Sequence, residues 1–189
     1  MVTDRDIPVA AGDDVAVAPG PLHLVQAFAT TRGDESGTDL LGTREGATAW
    51  LHTTGLLPTA ARLSNSEHGA LLRLRESIRD VLAAHAGARE DAEAAARLTK
   101  ALADGRVVVT VDPVSAVQLV SAARASYSSI VAALAVAIAE AAASGAWPRL
   151  KRCGAPRCGQ VFYDGSVSAA CQRCPAHRPA GGKEHPAVS

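Results

Sequence analysis

Four cysteines fall close together in the last fifth of the chain, as Cys153-x₄-Cys158-x₁₂-Cys171-x₂-Cys174. Two close pairs set apart by such a segment match the spacing of a structural zinc site. Each pair can wrap one edge of a tetrahedron with Zn–S bonds of about 2.3 Å. The intervening segment then folds back to join them. It contains Val161-Phe-Tyr163 followed by Asp164-Gly165, a short apolar strand leading into an Asp-Gly turn, which predicts a hairpin. Gly159 suits a tight turn that aims backbone amides at a thiolate. With Cys153, Cys158, Cys171 and Cys174 as the four ligands, no position is left for water. The expected Zn²⁺ is therefore structural, and it supplies much of the module's folding free energy. Two other readings stay open from the residues alone. His177 competes with Cys174 as the last ligand, and the thiols can form disulfides or stay free.

Other reactive groups are scattered. His52, His68, His85, Asp80 and Glu76 form no Ser/His/Asp arrangement and no positioned carboxylate pair, and there is no Gly-rich phosphate loop. His68 and His85 fall in the first and last turns of one expected helix, and His⁺ in a last turn suits the helix dipole. No catalytic residue is assigned, and the chain is not expected to be an enzyme. His23, Trp50 and Arg75 are the candidates for a small-molecule pocket.

Charge is unevenly placed. Residues 1–148 carry 12 Lys/Arg and 17 Asp/Glu, while residues 149–189 carry 7 and 2. An acidic body with a basic end suggests an anionic partner for that end. Arg149, Lys151, Arg152, Arg157, Arg173 and Arg178, with Lys183 beyond, are the candidate nucleic-acid contacts through the phosphate term that Lys and Arg supply.

The elements that must position these residues are mostly helical. Hydrophobic residues make up 48% of the chain but aromatics only 3%, so the core is built from Ala, Leu and Val, and alanine favours helix. Residues 22–28 form a short apolar element. Ala47, Trp50 and Leu51 give a short helix stopped by Gly55. Ser64-x-x-Glu67 reads as a capping box before a longer helix. Leu71, Leu74, Ile78, Val81 and Leu82 make its apolar stripe, with Arg73, Arg75, Arg79 and Asp80 mostly off it. Asp91 to Ala103 is another helix, with Ala92, Ala95, Ala96, Leu98 and Leu102 inward and Gly105 as the glycine past its end. Arg106 to Asp112 is β-branched and bounded by Gly105 and Pro113, so it predicts a strand with no obvious partner. Residues 115–144 are expected to be helical, with Tyr127, Ile130, Val131, Leu134 and Ile138 on the apolar face. The acidic, polar start resembles no signal peptide, and the run Ile130 to Ala139 is short of the roughly 20 residues a spanning helix needs. A cytoplasmic protein without membrane contact is expected.

The finger's opening, Cys153-Gly-Ala-Pro-Arg-Cys158-Gly-Gln-Val-Phe162-Tyr-Asp164-Gly-Ser166, resembles the CGNR-type zinc finger, in which a Cys-x₄-Cys knuckle leads into Phe-x-Asp-x-Ser. Phe28, Thr30, Asp39-Leu40, Trp50-Leu51, Gly55-Leu56 and Leu74-Arg75-Glu76 resemble the ABATE domain that precedes this finger. The resemblance implies a bacterial, stress-induced transcriptional regulator with a treble-clef-like finger that binds nucleic acid. The second half departs from the pattern. Ser168-Ala-Ala170 stands where the family has Arg-Arg-Trp. Cys171-Gln-Arg-Cys174 replaces a Cys-x₄-Cys pair, and Pro175-Ala-His-Arg178 replaces the name-giving Gly-Asn-Arg, leaving Arg178 alone at its arginine position. Pro179 and Gly181-Gly182 cut short the basic helix that usually follows.

The sequence therefore predicts a mainly α protein: a helical bundle with a small β element, then a small treble-clef-like finger made of a β-hairpin and a short helix. The expected divisions are a flexible leader at 1–20, an ABATE-like domain at 21–147, a CGNR-like finger at 148–178 and a flexible tail at 179–189. Two functions fit: a regulator whose finger binds DNA or RNA weakly, or a zinc-stabilised protein-interaction module. The helix from Tyr127 to Ala143 offers a face for a partner or a second copy.

Overall fold

The computed structural model describes residues 16–32 and 37–178. The remainder of the expected leader, the expected tail and Lys183 lie outside the described residues. Among the described residues five α-helices run through the body: α1 (Leu22–Thr30), α2 (Arg44–Thr53), α3 (Asn65–His85), α4 (Ala92–Leu102) and α5 (Tyr127–Ala143). A hairpin of β1 (Val107–Val111) and β2 (Val117–Ser121) separates α4 from α5, and a second hairpin of β3 (Leu150–Arg152) and β4 (Val161–Tyr163) opens the finger. Among the described residues, no helix is long and apolar enough to cross a membrane.

The longest helix, α3, is the spine. Its start is the expected capping box: Ser64 Oγ accepts from the Glu67 amide, and the Glu67 carboxylate accepts from the Ser64 amide. Such a cap contributes about 1 kcal/mol. Gly87, at φ +88°, follows its C-terminus. Leu71, Leu74, Ile78 and Leu82 are fully buried beside Phe28 of α1 and Ile130 and Leu134 of α5. Each such side chain contributes roughly 1.5–3 kcal/mol by leaving water.

Several expectations change. Arg75 and Arg79 are not off the apolar stripe. Both are buried on it, because each finds partners there: Asp39 for Arg75, and two backbone carbonyls for Arg79. In α4 the inward residues are Ala94 and Leu98, while Ala92, Ala95 and Ala96 are exposed. Alanines carry too little area to fix a helix face, so the leucine spacing decides it. The segment expected to begin a helix at Ser115 instead forms β2, the missing partner of β1. The turn between them is anchored by Asp112 Oδ1, which accepts from the amides of Val114 and Ala116. Residues 16–20 of the expected leader are fastened to the body, since Gln26 bonds both Ala18 N (2.7 Å) and Ala16 O (3.1 Å).

Gly105 acts through close approach and not as a helix terminator in the left-handed region. A Cβ there would lie 2.7 Å from Ala132 N and 2.8 Å from the Val131 carbonyl carbon of α5. Neither backbone atom can swing aside. Gly105→Ala is expected to cost about 1–3 kcal/mol, read as a lower midpoint in denaturant unfolding. An unchanged midpoint would mean the hairpin root shifts freely.

Candidate metal centre

The finger begins where β3 ends. Cys153 follows Arg152 and donates its amide to Gln160 O (2.8 Å), closing the knuckle. Inside the knuckle Arg157 and Gly159 sit at φ +64° and +61°, so the chain reverses within a few residues. The hairpin differs from the expected one. Val161–Tyr163 pairs with Leu150–Arg152, with Lys151 opposite Phe162. Asp164-Gly165 is no hairpin turn, because Asp164 is drawn inward by a buried cation.

Three of the expected ligands converge. Cys158 Sγ lies 3.7 Å from Cys174 Sγ, and Cys174 Sγ lies 3.2 Å from His177 Nδ1. One donor atom from each of Cys153, Cys158, Cys174 and His177 falls within 4.8 Å of every other. A tetrahedral ion with sulfur at about 2.3 Å spaces two sulfurs by about 3.8 Å, close to the Cys158–Cys174 separation. The donor set, three thiolates and an imidazole, is one that structural zinc uses, so the residues fit a tetrahedral metal. All four cysteines are free, with no disulfide.

The fourth corner differs from the four-cysteine expectation. Cys171 is outside the group, its Sγ 3.7 Å from Ser166 Oγ and its amide bonded to Asp164 Oδ2 (2.8 Å). His177 takes the corner because one 3₁₀ turn, Pro175–His177, brings residue 177 back over Cys174. Among the described residues, that turn stands where the finger helix was expected.

The thiols are poised for a cation. Burial pushes the Cys158 thiol up to about 12 and also raises that of Cys174. Burial opposes ionisation of Cys153 as well, but amide donation from Cys174 and Ala155 to its sulfur outweighs this and lowers its pKa. A bound cation would favour all three thiolates.

The basic residues separate into two sets. Lys151 is a correction: it is 3% exposed, its ammonium bonds Asp164 Oδ2 (2.9 Å), Ala169 O and Cys171 O, and it cannot reach a phosphate. Arg149 spends Nη1 on Asp164 O and Ser166 O, and Arg152 pairs with Asp80 at 3.4 Å. Arg157, Arg173 and Arg178 are exposed and, among the described residues, form no ion pair. The pocket candidates do not converge. His23 caps Gly20 O, Trp50 packs in the core 5.9 Å from Phe28, and Arg75 is locked to Asp39 by two bonds of 2.6 and 2.8 Å.

Sequence reasoning missed the residues that seat this centre. Asp164 is fully buried, and it accepts from Lys151, Ser166 and Cys171. Arg79 reaches from α3 to Gly159 O (2.8 Å), and the His85 ring meets Leu150 O (2.8 Å). The available signal was an arginine within an apolar stripe and an aspartate following an apolar strand; neither spacing names a partner.

Residues 22–146, which are 125 of the 189, match the model of the ABATE family, whose description reads "Putative stress-induced transcription regulator". The Cys₃His group that follows is consistent with a CGNR-type zinc finger. No curated protein matches the chain.

Two outcomes follow from the geometry. His177→Ala is expected to lose metal on gel filtration while Cys171→Ser retains it, read as metal per protein by mass spectrometry. The reverse pattern would assign the fourth corner to Cys171. Asp164 titrates well below the usual carboxylate range: burial opposes this, but Ser166, Lys151 and the Cys171 amide donate to the ionised form. Its folded pKa is depressed, so its contribution is complete above about pH 4 and is lost as pH falls below that. Asp164→Asn leaves Lys151 buried without a counter-ion and is expected to cost about 3–5 kcal/mol, measured by urea unfolding. The variant should also lose the wild type's acid sensitivity over that range.

Proposed function

Because this chain belongs to the ABATE family, we propose that it is a bacterial, cytoplasmic transcriptional regulator whose finger holds structural zinc and contacts nucleic acid. The observation that supports contact is the set of three exposed arginines around the metal corner that form no ion pair among the described residues: Arg157 in the knuckle, and Arg173 and Arg178 flanking Cys174 and His177. Their charge supplies a sequence-independent attraction to phosphate. Among the described residues no base-reading helix accompanies them, only a single 3₁₀ turn, so binding is weak and follows the backbone. The helical body receives the regulatory signal, and α3 carries it, because α3 bonds the knuckle through Arg79 and the β3 strand through His85. The reading includes no catalytic step.

The other reading is a protein-interaction module. It is favoured by three of the expected phosphate contacts being spent on partners within the protein: Arg149 on backbone carbonyls, Lys151 on buried Asp164 and Arg152 on Asp80.

A titration of the zinc-loaded protein on mixed duplex DNA and on RNA separates the two. The regulator reading expects log-affinity for duplex to fall with log salt at a slope of about −2.7 for three phosphate contacts. Each of Arg157→Ala, Arg173→Ala and Arg178→Ala should flatten that slope by about 0.9. No binding at low salt, with the metal in place, would overturn nucleic-acid contact and leave the interaction module.

A further inference from the structure

The hairpin of β1 and β2 exposes more apolar surface than any other part of the described chain. Val107, Val109 and Val111 of β1 pair with Ser121, Leu119 and Val117 of β2 and share one face with them. The five apolar members are all exposed, from 37% at Val107 to 67% at Val117. β2 packs toward α5. Beyond β2, no strand pairs with β1 among the described residues. A two-stranded hairpin is marginal in water, and three or more strands with an apolar face are more stable. Natural edge strands are usually blunted by lysine, proline or a bulge, and residues 107–111 contain no lysine or proline.

The ladder shows which backbone groups are free. Ala122 donates to Arg106 O (2.8 Å), and Asp112 donates to Ala116 O (3.0 Å). Even-numbered residues of this strand therefore turn their backbone toward β2. By alternation, Val107, Val109 and Val111 direct N–H and C=O to the open edge.

We propose that the open edge of β1 pairs antiparallel with β1 of a second copy, about a two-fold axis through Val109. The segment Arg106-Val-Val-Val-Thr-Val-Asp112 is complementary to itself in this register. Val109 faces Val109, Val107 faces Val111, Val108 faces Thr110, and Arg106 faces Asp112 at both ends. The odd-numbered pairs use the outward backbone groups. The Arg106–Asp112 pairs fall at non-hydrogen-bonded positions, where facing side chains come closest. A slip of one residue breaks the backbone parity, and a slip of two separates the charges. Asp112 Oδ1 is held by its own turn, which leaves Oδ2 for the arginine. The axis stands perpendicular to the sheet, so the five apolar side chains of each copy join on one face of a four-stranded sheet. A single hairpin edge buries less than the roughly 1,200–2,000 Å² of a stable interface, so the dimer forms reversibly. This inference stands apart from nucleic-acid binding.

Sedimentation of the full-length, zinc-loaded protein over a concentration series tests it. A monomer–dimer equilibrium is expected. Val109→Pro removes an amide that serves only the second copy and leaves the hairpin's own ladder intact, so it should give monomer. Arg106→Glu sets a carboxylate against Asp112 at both ends of the pairing, and should raise the dissociation constant about tenfold or more. Arg106→Lys should keep the dimer. Wild-type monomer at every concentration, or a dimer indifferent to both Val109→Pro and Arg106→Glu, would overturn the proposal. Circular dichroism shows whether each variant is folded, and Arg106→Glu, which changes no backbone, decides the case if Val109→Pro unfolds.

Discussion

The guanidinium of Arg79 joins the parts of this protein that must move as one. It rises from the middle of α3 and is almost fully buried. Nη1 donates to Ala29 O (2.6 Å), and Nη2 donates to Gly159 O (2.8 Å). The first acceptor lies in the last turn of α1, where helix carbonyls have no partner within the helix. The second lies in the knuckle, next to Cys158. Burying a cation is costly, and burial here pulls the arginine down to about 10 against the opposing pull of Glu76. Two directional donors offset that cost by satisfying two carbonyls that would otherwise be stranded. Lysine would carry the charge but lacks the fork that reaches both acceptors. The knuckle also has little slack, since a side chain at Gly159 would crowd Arg79 Nη2 at 3.0 Å.

The finger has a second lock that needs no metal. Lys151 and Asp164 form an ion pair sealed from water, and Asp164 also accepts from Ser166 and the Cys171 amide. A buried pair of this kind contributes less net stability than its Coulomb attraction suggests, because both ions are desolvated. Its stronger effect is positional. It fixes where the chain stands at Cys171, and the residues beyond must turn from there toward the knuckle. Within those constraints Cys174 and His177 arrive beside Cys153 and Cys158, while the Cys171 thiol stays with Ser166.

The sequence was readable wherever a signal was local. The Ser64–Glu67 box, the glycine ending α2, the apolar stripe of α3 and the strand at Val107 all depend on neighbours within a few positions. The reading lost ground where the deciding contact was distant. Val117-Gln-Leu-Val120 carries no period that separates strand from helix, and only pairing with β1 settles it. Alanines in α4 suit any face. Arg75 and Arg79 read as lying off the apolar stripe, because Asp39 lies 36 residues from Arg75 and Gly159 lies 80 from Arg79. At the metal centre, cysteine spacing pointed to the site and to three of its donors. It set His177 against Cys174 for the last corner, whereas both reach the site and Cys171 stays out, because the buried aspartate pins the chain at Cys171.

That choice bears on what the finger's surface can approach. Four thiolates around a divalent cation leave a net charge of −2, whereas three thiolates and a neutral imidazole leave −1. His177 is exposed, Arg173 precedes Cys174 and Arg178 follows His177, both exposed as well, so the reduction falls beside two of the three exposed arginines. Unit charges about 4 Å apart interact by about 4 kcal/mol at an effective dielectric near 20, and by less as they separate. With Lys151 and Arg149 turned inward, these arginines would face a dianionic corner if the fourth ligand were a thiolate. An imidazole ligand leaves less negative charge beside Arg173 and Arg178 than a fourth thiolate would.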